Sequence, residues 1–247
     1  MPLLNTLEHA IPRSLWQGPA SSLLQLVLAA TCPLCERPTA AAICPACQRQ
    51  LQRCRLSAAV PHSPDLRIWV WGSYQGALRQ ALAALKYHHQ PQIADLLGLW
   101  LGQSWQDGSG VDASRLIGVP IPLHITRQQQ RGYNQAGLLA ERFCQQVRLP
   151  LVQDGLVRRQ ATEAQFGLSA EDRQANVQQA FALGPKWLKR RPSQSVLLID
   201  DIFTTGATAR AAANVLRRHG ISVWGIATVA LAQRQAAGPD NSTYNNY

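Results

Sequence analysis

Lysine is nearly absent from this 247-residue chain: Lys86, Lys186 and Lys189 are the only three, so the net charge of +10 rests on arginine. Arginine is the residue of choice for bidentate phosphate contacts, and the balance points to an anionic ligand without separating phosphorylated metabolites from nucleic acid. No run of five or six basic residues occurs, and no basic stretch is interleaved with aromatics. That lack argues against a dedicated single-strand binder, and the seven tryptophans, mostly in apolar contexts, read as core. Long apolar runs are missing too. The best candidate, Leu23 to Ala30, is far too short to span a bilayer and is interrupted by Gln25. No basic cluster precedes it as a signal peptide would require, and Leu23, Leu26 and Val27 recur at helix spacing. A cytoplasmic chain with no membrane span is expected. Internal repeats are absent, and His88-His89 lacks the partner spacing of a metal site and reads as exposed polar filler. An apolar fraction of 46% excludes wholesale disorder.

Cysteine is scarce except in one place. Five of the six fall between Cys32 and Cys54. Cys32-Pro-Leu-Cys35 and Cys44-Pro-Ala-Cys47 form two C-x-x-C knuckles across a short spacer, the spacing of a tetrahedral Cys₄ zinc site. Disulfides are disfavoured without secretion, and a redox motif needs no second copy. The four thiolates leave no open coordination position, so Zn²⁺ here is structural. Cys54 reads as a spare thiol, with exchange for one of the four ligands as the alternative. Cys144, among Leu138, Leu139, Phe143 and Val147, reads as a core residue.

Beyond a loop-like boundary at Pro61 to Pro64, strands and helices alternate. Strands are expected over Ile68–Trp71, Leu116–Val119, Val196–Ile199 and Ile221–Ala230. Helices are expected over Leu78–Tyr87, Ile93–Trp105, Tyr133–Val147 and Ala209–His219, with another starting at Ser169-x-x-Asp172 and ending near Ala180-Phe181. This order predicts an α/β fold, a mostly parallel sheet flanked by helices. The expected organisation is an extension over 1–22, a zinc module over 23–60, the α/β domain over 65–235 and a polar, disordered tail over 236–247.

The most informative stretch is Val196-Leu-Leu-Ile-Asp-Asp-Ile-Phe-Thr-Thr-Gly-Ala-Thr208. An apolar strand delivers Asp200 and Asp201 at its carboxyl end. A loop of small and hydroxyl residues, Thr204, Thr205, Gly206, Ala207 and Thr208, then enters a helix, and free amides at a helix start form an anion site. The carboxylates are badly placed for phosphate but suited to accepting hydrogen bonds from sugar hydroxyls or to facing Mg²⁺. A sugar phosphate is the expected ligand. In a parallel sheet, residues after the Leu116 strand would sit across from this loop. Pro120 and Ile121 in a proline-bounded loop, followed by Arg127 and Arg131, are candidates for a diphosphate clamp. Lys86 is either an anion contact or a snorkelling helix-end lysine.

The Asp-Asp stretch resembles the phosphoribosyl-diphosphate (PRPP) signature of type I phosphoribosyltransferases over its whole length. The resemblance implies that fold, ribose hydroxyls on Asp200 and Asp201 as the catalytic pair, and the 5′-phosphate on Thr204 to Thr208. Together with the cysteine knuckles, Leu85-Lys86-Tyr87, Arg131-Gly-Tyr-Asn-Gln135, Thr162-x-x-Gln165, Arg173 and Asn176, it is similar to the ComF/GntX family of competence-associated, phosphoribosyltransferase-like proteins. What this implies is Mg²⁺-dependent phosphoribosyl transfer from PRPP to an unidentified acceptor. The alternative is a non-catalytic accessory of DNA uptake that binds single-stranded DNA or DNA-uptake proteins. Arg158 to Gly167 is the candidate mobile loop.

Overall fold

A computed structural model of the chain describes residues 31–56, 65–159 and 180–232. The extension, the expected helix from Leu23, the boundary at Pro61 to Pro64, most of the candidate mobile loop, the Ser169 helix start and the tail lie outside the described residues. The elements run α1 (Pro45–Gln52), β1 (Arg67–Ser73), α2 (Gly76–Tyr87), α3 (Gln92–Gly108), β2 (Leu116–Pro120), α4 (Ile125–Arg131) and α5 (Gln135–Val147). They continue with β3 (Leu156–Arg158), β4 (Phe181–Leu183), α6 (Pro185–Lys189), β5 (Ser195–Phe203), α7 (Ala207–Arg218) and β6 (Val223–Leu231). Among the described residues, no helix is long and apolar enough to cross a membrane.

The apolar run Val196 to Ile199 forms the buried centre of β5 because both of its faces are covered. Leu197 and Ile199 pack toward α2, α3 and α5, whereas Val196 and Leu198 pack toward α7. All four are fully buried, a contribution of about 1.5–3 kcal/mol each. The sheet order is β1-β6-β5-β2, and every pairing in it is parallel. Helix α3 approaches α5 closely at Gly98, where an added Cβ would lie 2.8 Å from the Leu139 carbonyl oxygen. Six tryptophans lie in the described residues, and Trp71, Trp105 and Trp187 are buried. Trp71 stacks on Trp100 with ring centroids 5.3 Å apart. They form core, as expected, and no stacking platform.

Three expectations change. The acidic pair lies inside β5, which continues through Phe203 because β6 pairs with it to the end. Arg127 and Arg131 sit on a helix, α4, where a loop was expected. Phe181 belongs to β4, paired antiparallel with β3, and does not end a helix. The described part of the cysteine module shares the main core. Cys32, Ile43, Cys44, Cys47 and Leu51 are buried in one cluster with Trp71 and Leu78. The Leu56 amide donates to the Trp71 carbonyl at 3.0 Å, and the Ser73 amide to the Cys54 carbonyl at 2.8 Å.

Candidate functional site

β2 and β5 are neighbours, yet the helices that follow them cover opposite faces of the sheet: α5 packs on one and α7 on the other. That divergence opens a crevice at the carboxyl ends of the two strands, where α/β sheets take their ligands. β2 stops pairing at Pro120, opposite Ile199, and the Ile121 amide donates to the Ile199 carbonyl at 2.8 Å. From Asp200 onward, the β2 side of β5 is therefore open.

Successive side chains of a strand point to opposite faces. Asp201, 4% exposed, points toward α2 and α5. There it pairs with the Lys86 ammonium and accepts from Gln135 Nε2 at 3.3 Å. Burial alone would lower the Lys86 pKa, but the charge of Asp201 and its hydrogen bond outweigh burial and hold it above the ordinary value. Lys86 is thus held by a carboxylate of the chain itself while it also lines the cavity described below. Asp200, partly exposed, accepts from the Asp201 amide at 2.8 Å. Burial and the adjacent carboxylate push the Asp200 pKa well above the usual carboxylate range.

Past Phe203 the chain turns through Thr204 and Thr205, both exposed, to Gly206, the N-cap of α7. Gly206 has φ 76°, and an added Cβ would lie 2.6 Å from the Phe203 ring, so both conformation and space demand glycine. α7 has no side-chain cap and no acid in its first turn, which leaves its amino-terminal amides and the positive end of its dipole facing the loop. The Ala207 amide reaches Thr205 Oγ1 at 3.4 Å, and Arg210 Nη2 donates to the Thr205 carbonyl at 2.6 Å. Thr208 follows in the first turn of α7.

On the other side of Asp201 lies a cavity of about 300 Å³ lined by Lys86, Tyr87, His89, Arg127, Gln130 and Arg131. Arg131 donates to Gln135 Oε1, and its guanidinium lies 5.7 Å from the Tyr87 ring centre. Gly132 ends α4 in the left-handed conformation. Asn134 then caps α5, accepting from the Ala136 amide at 3.2 Å and donating to the Ile121 carbonyl at 3.1 Å. Arg127 and Arg131 thus meet in one cavity. Pro120 and Ile121 do not line it; they are buried at the end of the sheet.

Several contributors were not singled out for this site from the sequence. Gln135 is buried and links Arg131 to Asp201. His89, read as filler, lines the cavity. Arg158, at the end of β3, is placed so that burial and the charge of Arg127 lower its pKa while Asp200 opposes the fall. Arg210 braces the loop that leads into α7.

The sulfur atoms of Cys32, Cys35, Cys44 and Cys47 lie within 4.8 Å of one another. A tetrahedral zinc–thiolate centre needs sulfurs about 3.8 Å apart, and Cys35 and Cys44 are at 3.6 Å, so the donor set fits a zinc ion. The Cys44 amide points at Cys32 Sγ from 3.4 Å, and Arg37 Nε at Cys35 Sγ from 3.4 Å. The Arg37 amide and guanidinium lower the Cys35 pKa to about 6, whereas burial pushes Cys47 up. Cys54 stands apart, its thiol near the Gln50 and Gln75 carbonyls. Cys144 packs beneath Gly118, and burial raises its pKa to about 12.

No protein-family model matches the chain. Competence protein F of Haemophilus influenzae is 39% identical over 112 residues, 44% of this chain and 48% of that protein. DNA utilization protein YhgH of Escherichia coli is 28% identical over 168 residues, 65% and 71% of the two chains. Competence protein ComFC of Bacillus subtilis is 26% identical over 202 residues, 81% and 76%. The chain therefore spans about half the length of the first of these relatives and about three quarters of the last. Two competence proteins and a DNA utilization protein are thus among its homologues, and together with the cysteine cluster and parallel sheet described above they support a place in the ComF family.

Proposed function

We propose that this chain binds PRPP in the crevice between β2 and β5 and transfers its phosphoribosyl group to an acceptor. The observation that carries the reading is the convergence on one crevice of three chemistries. They are an uncapped helix start behind Gly206, the Asp200–Asp201 pair, and a cavity lined by Lys86, Arg127 and Arg131. The loop from Thr204 to Thr208 holds the 5′-phosphate through amides and hydroxyls. Asp200 and Asp201 accept hydrogen bonds from the ribose hydroxyls and stand near the positive charge that develops on the ring. As the C1′–oxygen bond breaks, its electron pair leaves with diphosphate, the cations of the cavity compensate the growing charge, and the acceptor's lone pair bonds to C1′. The two carboxylates are hard oxygen donors that suit magnesium, which would arrive with PRPP and help neutralise the leaving group. Incubation with PRPP, magnesium and a panel of bases and amines is expected to release diphosphate with at least one acceptor. No release with any of them would leave a binding protein without transfer.

A second reading, a DNA-handling role, has its own support. It comes from the names of the relatives and from the opposite end of the sheet. Arg67 opens β1, Arg115 precedes β2, Arg190 and Arg191 precede β5, and Arg217 and Arg218 end α7. All six are exposed. Asp112 lies 3.6 Å from Arg115, and the Asp65 carbonyl accepts from Arg217 at 2.8 Å. Such an excess of arginine suits a phosphate-rich strand, with PRPP bound at the far end. Binding to single-stranded DNA is expected to weaken steeply with salt, and Arg217→Gln/Arg218→Gln is expected to lower the slope of log K against log salt by about 1.4. A flat anisotropy titration at low salt would exclude this role.

A further inference from the structure

Both oxygens of the Asp201 carboxylate are engaged, one by Lys86 and the other by Gln135. Lys86 lines the cationic cavity directly. Gln135 leads there as well, because its Oε1 takes a hydrogen bond from Arg131, a second wall of that cavity. The four side chains form an arc, Lys86–Asp201–Gln135–Arg131, whose two ends face the same space. A carboxylate engaged on both oxygens has fewer lone pairs, and less of its charge, free for sugar hydroxyls.

We infer that Lys86 is a latch on Asp201, opened by a polyphosphate anion in the cavity. The anion draws Lys86 and Arg131 toward itself, the contacts to Asp201 loosen, and the carboxylate becomes available to the ribose hydroxyls. Lys86 is then a positioning residue for the sugar, and the site selects sugars that also carry a diphosphate over simple sugar monophosphates. This rests on the sugar-phosphate reading of the crevice. It also has a sign that distinguishes it from bare electrostatics: two anions in one site repel, so without the latch they should hinder each other.

The two halves of PRPP can be supplied separately, as ribose 5-phosphate and inorganic diphosphate, to the full-length zinc-loaded protein. Magnesium is left out so that it cannot bridge them. Calorimetric titration of ribose 5-phosphate is expected to give an affinity about tenfold tighter with saturating diphosphate than without, and diphosphate should gain by the same factor from ribose 5-phosphate. In Lys86→Met the factor should fall to about one, while Lys86→Arg, which restores the charge, should recover it. The Arg variant keeps the test valid if the Met variant folds poorly. A factor of one or less in the native protein, or an undiminished factor in a folded Lys86→Met, would overturn the latch. If ribose 5-phosphate binds and diphosphate does not, the latch fails and the sugar-phosphate loop stands. If ribose 5-phosphate binds under neither condition, the underlying reading fails and the latch with it.

Discussion

Cys44→Ser is expected to lose its zinc and to melt at least about 10 °C below the native protein. The four sulfurs lie close enough to share one ion, and apparent binding free energies of structural zinc are on the order of 10 kcal/mol. Much of this is felt by the whole domain, because Cys32, Ile43, Cys44, Cys47 and Leu51 are packed into the same core as Trp71 and Leu78. At about 2–4 °C per kcal/mol for a domain of this size, losing about half of that free energy gives the stated shift. Metal analysis should find about one zinc per chain in the native protein and in Cys54→Ser, whose thiol lies outside the cluster. Little or none should remain in Cys44→Ser. A Cys44→Ser protein that melts like the native one would show that the cluster is not the structural centre of the module.

The second large effect is on ligand binding. Asp200→Asn/Asp201→Asn is expected to weaken PRPP binding more than about 100-fold, since each charge-assisted hydrogen bond is worth about 1.5–3 kcal/mol. The single variants separate function from folding. The Asp200 pKa is raised in the folded state by burial and by Asp201. The folded protein therefore holds that proton more tightly than the unfolded chain, and stability falls as pH rises through the folded pKa. At neutral pH the raised Asp200 pKa therefore costs stability, and Asp200→Asn should gain on the order of 1 kcal/mol. The gain should vanish in acid, below the unfolded carboxyl pKa. Asp201→Asn should instead lose stability, because it removes the partner of a largely buried lysine. Both singles should bind PRPP poorly. A variant that is more stable yet does not bind marks a residue kept for its ligand; thermal melts across pH check the first property and calorimetry the second.

How much of this was legible in the sequence depended on distance along the chain. The cysteine cluster was readable because its four members lie within sixteen residues, Cys32 to Cys47, at a spacing that suits one metal ion. The strand–acid–glycine–helix arrangement from Val196 to Thr208 was readable because its parts follow one another directly. Lys86 could not be settled alone: its meaning comes from Asp201, 115 residues later, and only the sheet order brings them together. Gln135 was hidden for the same reason. α4 carried no signal because Ile125 to Arg131 buries nothing and so has no apolar period. β3 and β4, at three residues each, were too short to alternate visibly. The acidic pair looked like the end of a strand because polarity ends most of them, but main-chain pairing with β6 carries β5 onward regardless of side chain.

The central claim is that the crevice is a PRPP site, and calorimetric titration of the zinc-loaded protein with PRPP and magnesium tests it most directly. Saturable binding near one PRPP per chain, abolished in Asp200→Asn/Asp201→Asn, is the predicted result. No binding at millimolar PRPP would contradict it.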